Sequence, residues 1–114
     1  MKYVKRRESH LVTACLNYLQ CQENNGKIKW CDRCNSGRIG GVRLHRAGTP
    51  DIFFIANSGF TFWLEAKVEG YNENTETVKK QQQFESMINL TPNNLYFIVF
   101  SVDDVERIIK KYII

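Results

Sequence analysis

Leu11, Val12, Cys15 and Leu19 recur at helical spacing, so the chain from about Glu8 to Gln22 is expected to form a helix with that stripe turned inward. Glu8 lies three and four positions before Leu11 and Val12, at the end of the same stripe. A carboxylate there is costly to bury unless it is paired. An acid in the first turn of a helix, however, is favoured by the helix dipole, and both readings stand. Lys27-Ile28-Lys29-Trp30 offers a short strand, the glycines between Asn35 and Gly41 predict a loop, and Val42-Arg43-Leu44 reads as extended.

Two runs rich in β-branched and aromatic residues follow, Asp51 to Ala56 and Phe60 to Lys67. Asn57-Ser58-Gly59 between them fits a three-residue hairpin loop with Gly59 in the left-handed conformation. Thr77 to Asn89 is expected to be a helix with Phe84, Met87 and Ile88 inward, and Thr91-Pro92-Asn93-Asn94 a turn. Leu95 to Phe100 is apolar throughout, which predicts a central strand. Ser101-Val102-Asp103-Asp104 resembles a capping box with Asp in place of Glu and opens a last helix to about Tyr112. On it Val105, Ile108, Ile109, Tyr112 and Ile113 form an apolar stripe that Ile114 extends. The order helix, weak strand, two strands, helix, strand, helix describes a small α/β sandwich with a mixed sheet.

At 114 residues, 43% hydrophobic and 25% charged, the chain is expected to be one globular domain, 1–114. No apolar run approaches the ~20 residues of a membrane span, and the charged N-terminus does not resemble a signal peptide. A cytoplasmic location, in a host cell if the chain is phage-encoded, is the expectation. The net charge of +4 is unevenly spread. Residues 1–46 hold ten basic and three acidic side chains (+7), and residues 47–114 hold six and nine (−3). A basic half beside an acidic half suggests a polyanionic partner and a separate carboxylate cluster.

The hairpin locates that cluster. With Ile55 opposite Thr61, the register carried outward sets Asp51 opposite Glu65, with Cβ atoms about 4.5–5.5 Å apart. Like charges at that spacing repel unless a cation lies between them. Lys67, two residues beyond Glu65, shares its face, and Ala66 points the other way. Two oxygen-donor carboxylates suit a hard cation such as Mg²⁺ or Mn²⁺, and Lys67 could hold a water or a phosphate. A plain ion pair between Lys67 and one carboxylate is the simpler alternative.

Gly48-Thr49-Pro50-Asp51 followed by Glu65-Ala66-Lys67 resembles the motif of the PD-(D/E)XK nuclease superfamily, and more closely its VRR-NUC group. Glu8 on the first helix, Asn35-Ser36-Gly37-Arg38 before the G-x-P-D segment, and Gln81 three residues before Phe84 agree with that likeness, which covers residues 8 to about 105. The resemblance implies a restriction-endonuclease-like core with a small mixed sheet flanked by helices in αβββαβ(α) order. It implies metal ligation by Glu8, Asp51, Glu65 and the Ala66 carbonyl, with Lys67 catalytic and Gln81 an active-site helper. Gln82 and Gln83 are the alternatives if the helix phase differs. It further implies Mg²⁺- or Mn²⁺-dependent DNA cleavage, with branched or Holliday-junction DNA and a homodimer as in stand-alone phage-type relatives. Lys5, Arg6, Arg7, Arg33, Asn35, Arg38, Arg43 and Arg46 would then follow the phosphate backbone. A catalytically inactive nucleic-acid-binding or interaction protein on the same fold is the alternative.

Cys31-Asp32-Arg33-Cys34 lies outside that pattern. A structural zinc site normally takes four ligands, and only Cys15, Cys21, His10 and His45 remain as partners, so structural Zn²⁺ is not expected. Cys15 is expected in the core. Trp30 and Trp63 are expected to pack in the core or on the sheet rather than stack on bases.

Overall fold

The computed structural model describes residues 2–34, 38–39, 42–43, 48–68, 70 and 75–113, with side chains described for these apart from 2–6, 38–39 and 42–43. Nine elements follow one another: α1 (Lys2–Asn24), β1 (Ile28–Arg33), β2 (Arg38–Ile39), β3 (Val42–Arg43), β4 (Ile52–Ala56), β5 (Thr61–Ala66), α2 (Thr75–Asn89), β6 (Asn94–Val99) and α3 (Val102–Tyr112). They make an α/β fold with a four-stranded mixed sheet ordered β1-β4-β5-β6. The first three strands are antiparallel, and β6 joins β5 in parallel after the α2 crossover. No helix among the described residues is long and apolar enough to cross a membrane.

Strand alternation divides the sheet's two faces. Phe54, Phe62, Leu64 and Val99 meet Val12, Cys15 and Leu19 of α1 and Val105 and Ile109 of α3 in one core. Phe62 stacks on Phe54 with ring centres 4.6 Å apart, and Tyr112 closes over Phe62 at 5.5 Å. On the opposite face Phe84 of α2 meets Trp63 at 5.3 Å and Tyr96 at 6.1 Å.

Several expectations are corrected. The first helix begins at Lys2, not near Glu8, because nothing between Lys2 and Arg7 breaks a helix. No acid lies in its first turn, so the dipole does not account for Glu8, which is half-buried farther along. The weak strand runs on to Arg33 and takes Cys31 into the sheet. Arg38–Ile39, expected as loop, pairs antiparallel with Val42–Arg43.

The apolar β6 is an edge strand rather than a central one. Its continuous apolarity reflects helices on both faces, with Phe97 stacked towards Phe62 and Tyr96 against Phe84. Met87, expected inward, is 50% exposed, whereas Ile88 is buried. Most of the α3 stripe is spent inside the chain: Val105, Ile108 and Ile109 are buried, while Tyr112 lies against Phe62 and Phe97 yet stays 43% exposed. Ile114 is outside the described residues. Ser101 caps α3 as expected, its Oγ accepting from Asp104 N at 3.2 Å. The returning Asp104 carboxylate takes Phe100 N at 2.8 Å, one residue before the cap.

Candidate functional site

The β4–β5 hairpin sets the register as the sequence predicts. Gly59 takes φ +96°, Gly59 N donates to Ala56 O at 2.9 Å, and Ala56 N donates to Phe60 O at 2.8 Å. Pairing runs from Ile55–Thr61 to Ile52–Leu64, one step short of Asp51 and Glu65. Asp51 N continues the ladder to Leu64 O at 3.1 Å. The Asp51 carboxylate turns across the hairpin, where its Oδ2 accepts from Ala66 N at 2.8 Å. Pro50 in front of it is fully buried and fixes the approach of the chain.

Glu65 is only 5% exposed, which is rare for a carboxylate without close polar company. Gln81 of α2 supplies it, donating from Nε2 to Glu65 Oε1 at 2.8 Å. The other end of the same amide accepts from Lys67 Nζ at 3.0 Å. A primary amide held between an acceptor-only carboxylate and a donor-only ammonium has one sensible orientation, so Gln81 is locked by charge at both ends. Glu65 Oε2 is buried and accepts no hydrogen bond from the described residues. Gln82 and Gln83 are exposed, so the helix phase favours Gln81 over either.

Asp51, Glu65, Ala66, Lys67 and Gln81 are thus brought together from two strand ends and one helix. Glu8 is half-buried on α1, which packs against β4 and β5. Among the described residues no three or more His, Cys, Asp or Glu side chains form a group that could hold a metal ion by themselves. Of the proposed phosphate contacts, Arg7 and Arg33 are exposed. Lys5 and Arg6 lie on α1, and Arg38 and Arg43 on the β2–β3 pair, with side chains outside the described set; Asn35 and Arg46 lie outside the described residues altogether.

Two neighbours of the site take part in it in ways the sequence did not assign to them. Gly48, at φ +93°, lies so close to α2 that a Cβ built on it would fall 2.6 Å from Lys80 O. It fits the G-x-P-D segment under the helix turn that carries Gln81. Its left-handed conformation gave no advance sign beyond the residue type. Cys34 donates its N–H to Asp51 O at 2.8 Å. Burial, and then the charges of Asp51, Asp32 and Glu65, push its thiol up to about 11.

The C-x-x-C pair is thereby turned into the protein. Cys31 N donates to Glu23 Oε1 at 2.9 Å, and burial with the Glu23 contact pushes the Cys31 thiol up to about 12. Cys15 lies in the core with its thiol pushed up to about 11 by burial. Cys21 and His10 are exposed, and His45 lies outside the described residues. At pH 8 a thiol-reactive dye is therefore expected to label one cysteine quickly, Cys21, and all four only after unfolding. The same burial has a stability signature. The unfolded thiols ionise near 9.0 and the three folded ones not until about 11–12, so stability from this source is whole below pH 9 and falls as pH rises towards 12. Thermal melts between pH 7 and 11 read that slope.

Trp63 packs as expected, tilted on Phe53 at 5.6 Å and donating Nε1–H to Asn94 Oδ1 at 2.9 Å. Trp30 does not: it is 54% exposed on the edge strand β1. No family model, curated protein or solved structure matches the chain.

Proposed function

We propose that this chain is a Mg²⁺- or Mn²⁺-dependent DNA endonuclease with a restriction-endonuclease-like core of the VRR-NUC kind. The observation that supports the reading best is the chain of contacts Glu65–Gln81–Lys67 beside an Asp51 carboxylate turned across the same hairpin. An ordinary surface ion pair needs neither the intervening amide nor the burial of Glu65.

The donor set is all oxygen, which fits a hard divalent cation. Asp51, Glu65, the Ala66 carbonyl and Glu8 would hold it. Magnesium commonly keeps several waters and takes only one or two carboxylates, so a three-carboxylate cage is not required. When bound, such a cation would polarise the scissile phosphate and make a nearby water easier to deprotonate. The chain's own residues do the rest. Lys67, fixed by Gln81, orients the attacking water and offsets charge that develops on the phosphate. Gln81 ties Glu65 and Lys67 into one hydrogen-bonded chain and so fixes the position of both. Exposed Arg7 and Arg33, with the other cations of residues 1–46, hold the phosphate backbone without reading sequence.

The substrate in this reading is branched DNA inside the cell, cut by a homodimer whose two sites supply paired nicks. The second copy would find little of the α3 stripe, whose Val105, Ile108 and Ile109 are buried in the core and which leaves Tyr112 exposed. Met87, Leu90, Ile98, Phe100 and Tyr112 are exposed apolar residues among the described ones around β6. A labelled four-way junction and its linear arms, incubated with Mg²⁺, Mn²⁺ or EDTA, test the proposal. Cleavage of the junction in either metal and none in EDTA is expected. Binding without cleavage in any metal would favour an inactive nucleic-acid-binding protein. With roughly 5–7 phosphate contacts, log K against log salt should slope about −5 to −6. A slope near zero would show that the basic half is solvated surface.

A further inference from the structure

The face of the sheet that carries the site is covered unequally. α2 lies over the β5–β6 side, where Phe84 meets Trp63 and Tyr96. On the other side, pairing sets Trp30 beside Ile55 and Asp32 beside Phe53, the same row of positions that continues to Asp51. Ile55 and Phe53 are half-buried, and Trp30 stands 54% exposed at the edge. The β1–β4 register slips between Ile28 and Trp30, the kind of irregularity that re-aims a side chain. Lys27 and Lys29, both exposed, precede Trp30 at the start of the strand, while Arg33 pairs with buried Ile52 and alternates to the other face. The one acid in the strand, Asp32, is exposed too, and its Oδ1 takes Arg33 N at 2.7 Å.

We propose that Trp30, with Lys27 and Lys29, is a stacking platform for unpaired nucleotides of a nucleic-acid strand that runs on to the Asp51–Glu65 pair. The direction of that strand rests on the nuclease reading; the platform itself does not. An exposed indole offers a π-face to any base, and cations beside it hold the phosphates between bases. Ile55, the neighbour of Trp30, is four residues from Asp51 along β4, or about 13 Å. A strand stacked on Trp30 therefore places a phosphate a few nucleotides away at the carboxylates. Lys27 and Lys29 beside a single protruding ring, in a half of the chain that carries +7, favour a polyanion over the apolar face of a second copy, which would need a wider patch. In a branched substrate the unpaired nucleotides are those at the branch point.

The test is binding in EDTA, so that cleavage plays no part. Fluorescence anisotropy of a labelled oligothymidylate and of a linear duplex is measured with the natural chain, Trp30→Ala and Trp30→Phe, and light scattering is run on each. Trp30→Ala should weaken oligothymidylate binding about tenfold or more, leave duplex binding within about twofold, and be largely rescued by Trp30→Phe. Lys29→Ala should weaken both ligands and flatten the salt dependence. Equal loss on both ligands, no loss on either, or a drop from twice the 13.3 kDa chain mass without loss of binding overturns the platform. A chain that binds oligothymidylate through Trp30 yet cuts nothing in Mg²⁺ or Mn²⁺ overturns the nuclease reading and keeps this one.

Discussion

Asp51→Asn and Glu65→Gln should each lower cleavage by at least about a thousandfold, because a catalytic cation supplies several kcal/mol at the phosphate and each 1.36 kcal/mol is a factor of ten. DNA binding in EDTA should stay within a few-fold, since neither side chain is a cation that meets phosphate. Both substitutions keep an oxygen where the structure uses one. Asn retains an acceptor for Ala66 N, and Gln retains an acceptor for Gln81 Nε2. Each also removes one of two like charges held across a hairpin in adjacent register positions. Metal-free stability should therefore hold level or rise, by up to about 1 kcal/mol. The combination of an intact or raised melting temperature with lost cleavage separates a catalytic role from a structural one. Either variant with full activity would remove the carboxylate pair from the mechanism.

Gly48→Ala should cause the largest loss of stability of any single methyl added near the site. At φ +93° an alanine is strained by about 1–2 kcal/mol. Its Cβ would also fall 2.6 Å from Lys80 O and 2.8 Å from Lys80 C, both backbone atoms that no rotamer change can move away. Overpacking of that kind adds roughly 1–3 kcal/mol. Relief requires α2 to lift, and Gln81 is the next residue on it, so the amide between Glu65 and Lys67 is displaced as the helix moves. A melting temperature several degrees lower is expected, together with reduced cleavage by the chains that remain folded. Gly26→Ala is the control: Gly26 also has positive φ, but a Cβ there meets nothing within 4 Å. If Gly48→Ala cost no more than Gly26→Ala, the close approach to α2 would carry no energetic weight.

What could be read from the sequence was set by local rules. Asn57-Ser58-Gly59 dictates a short hairpin, the hairpin dictates its register, and the register brings Asp51 towards Glu65 and Lys67 onto the Glu65 face. The helix phase stayed open in the sequence among Gln81, Gln82 and Gln83, and only the packed helix turns Gln81 to Glu65. What could not be read depended on neighbours far along the chain. The continuous apolarity of β6 signals two covered faces, which an edge strand between α2 and α3 satisfies as well as a central one. Trp30 was hidden because a large aromatic in a strand suggests packing, whereas exposure depends on how far α2 reaches across the sheet. Gly48 was hidden because its task is to leave room for a helix turn 32 residues later. The start of α1 was misplaced because the charged residues before Glu8 contain no stop signal.

Conversion of a supercoiled plasmid bearing an extruded cruciform to nicked or linear DNA by the purified chain tests the central claim most directly, with Mg²⁺, Mn²⁺ and EDTA run side by side. The account predicts conversion in at least one metal, none in EDTA, and none in any condition for Glu65→Gln. Conversion that persists in EDTA or in Glu65→Gln, or none by the natural chain in either metal, would contradict it.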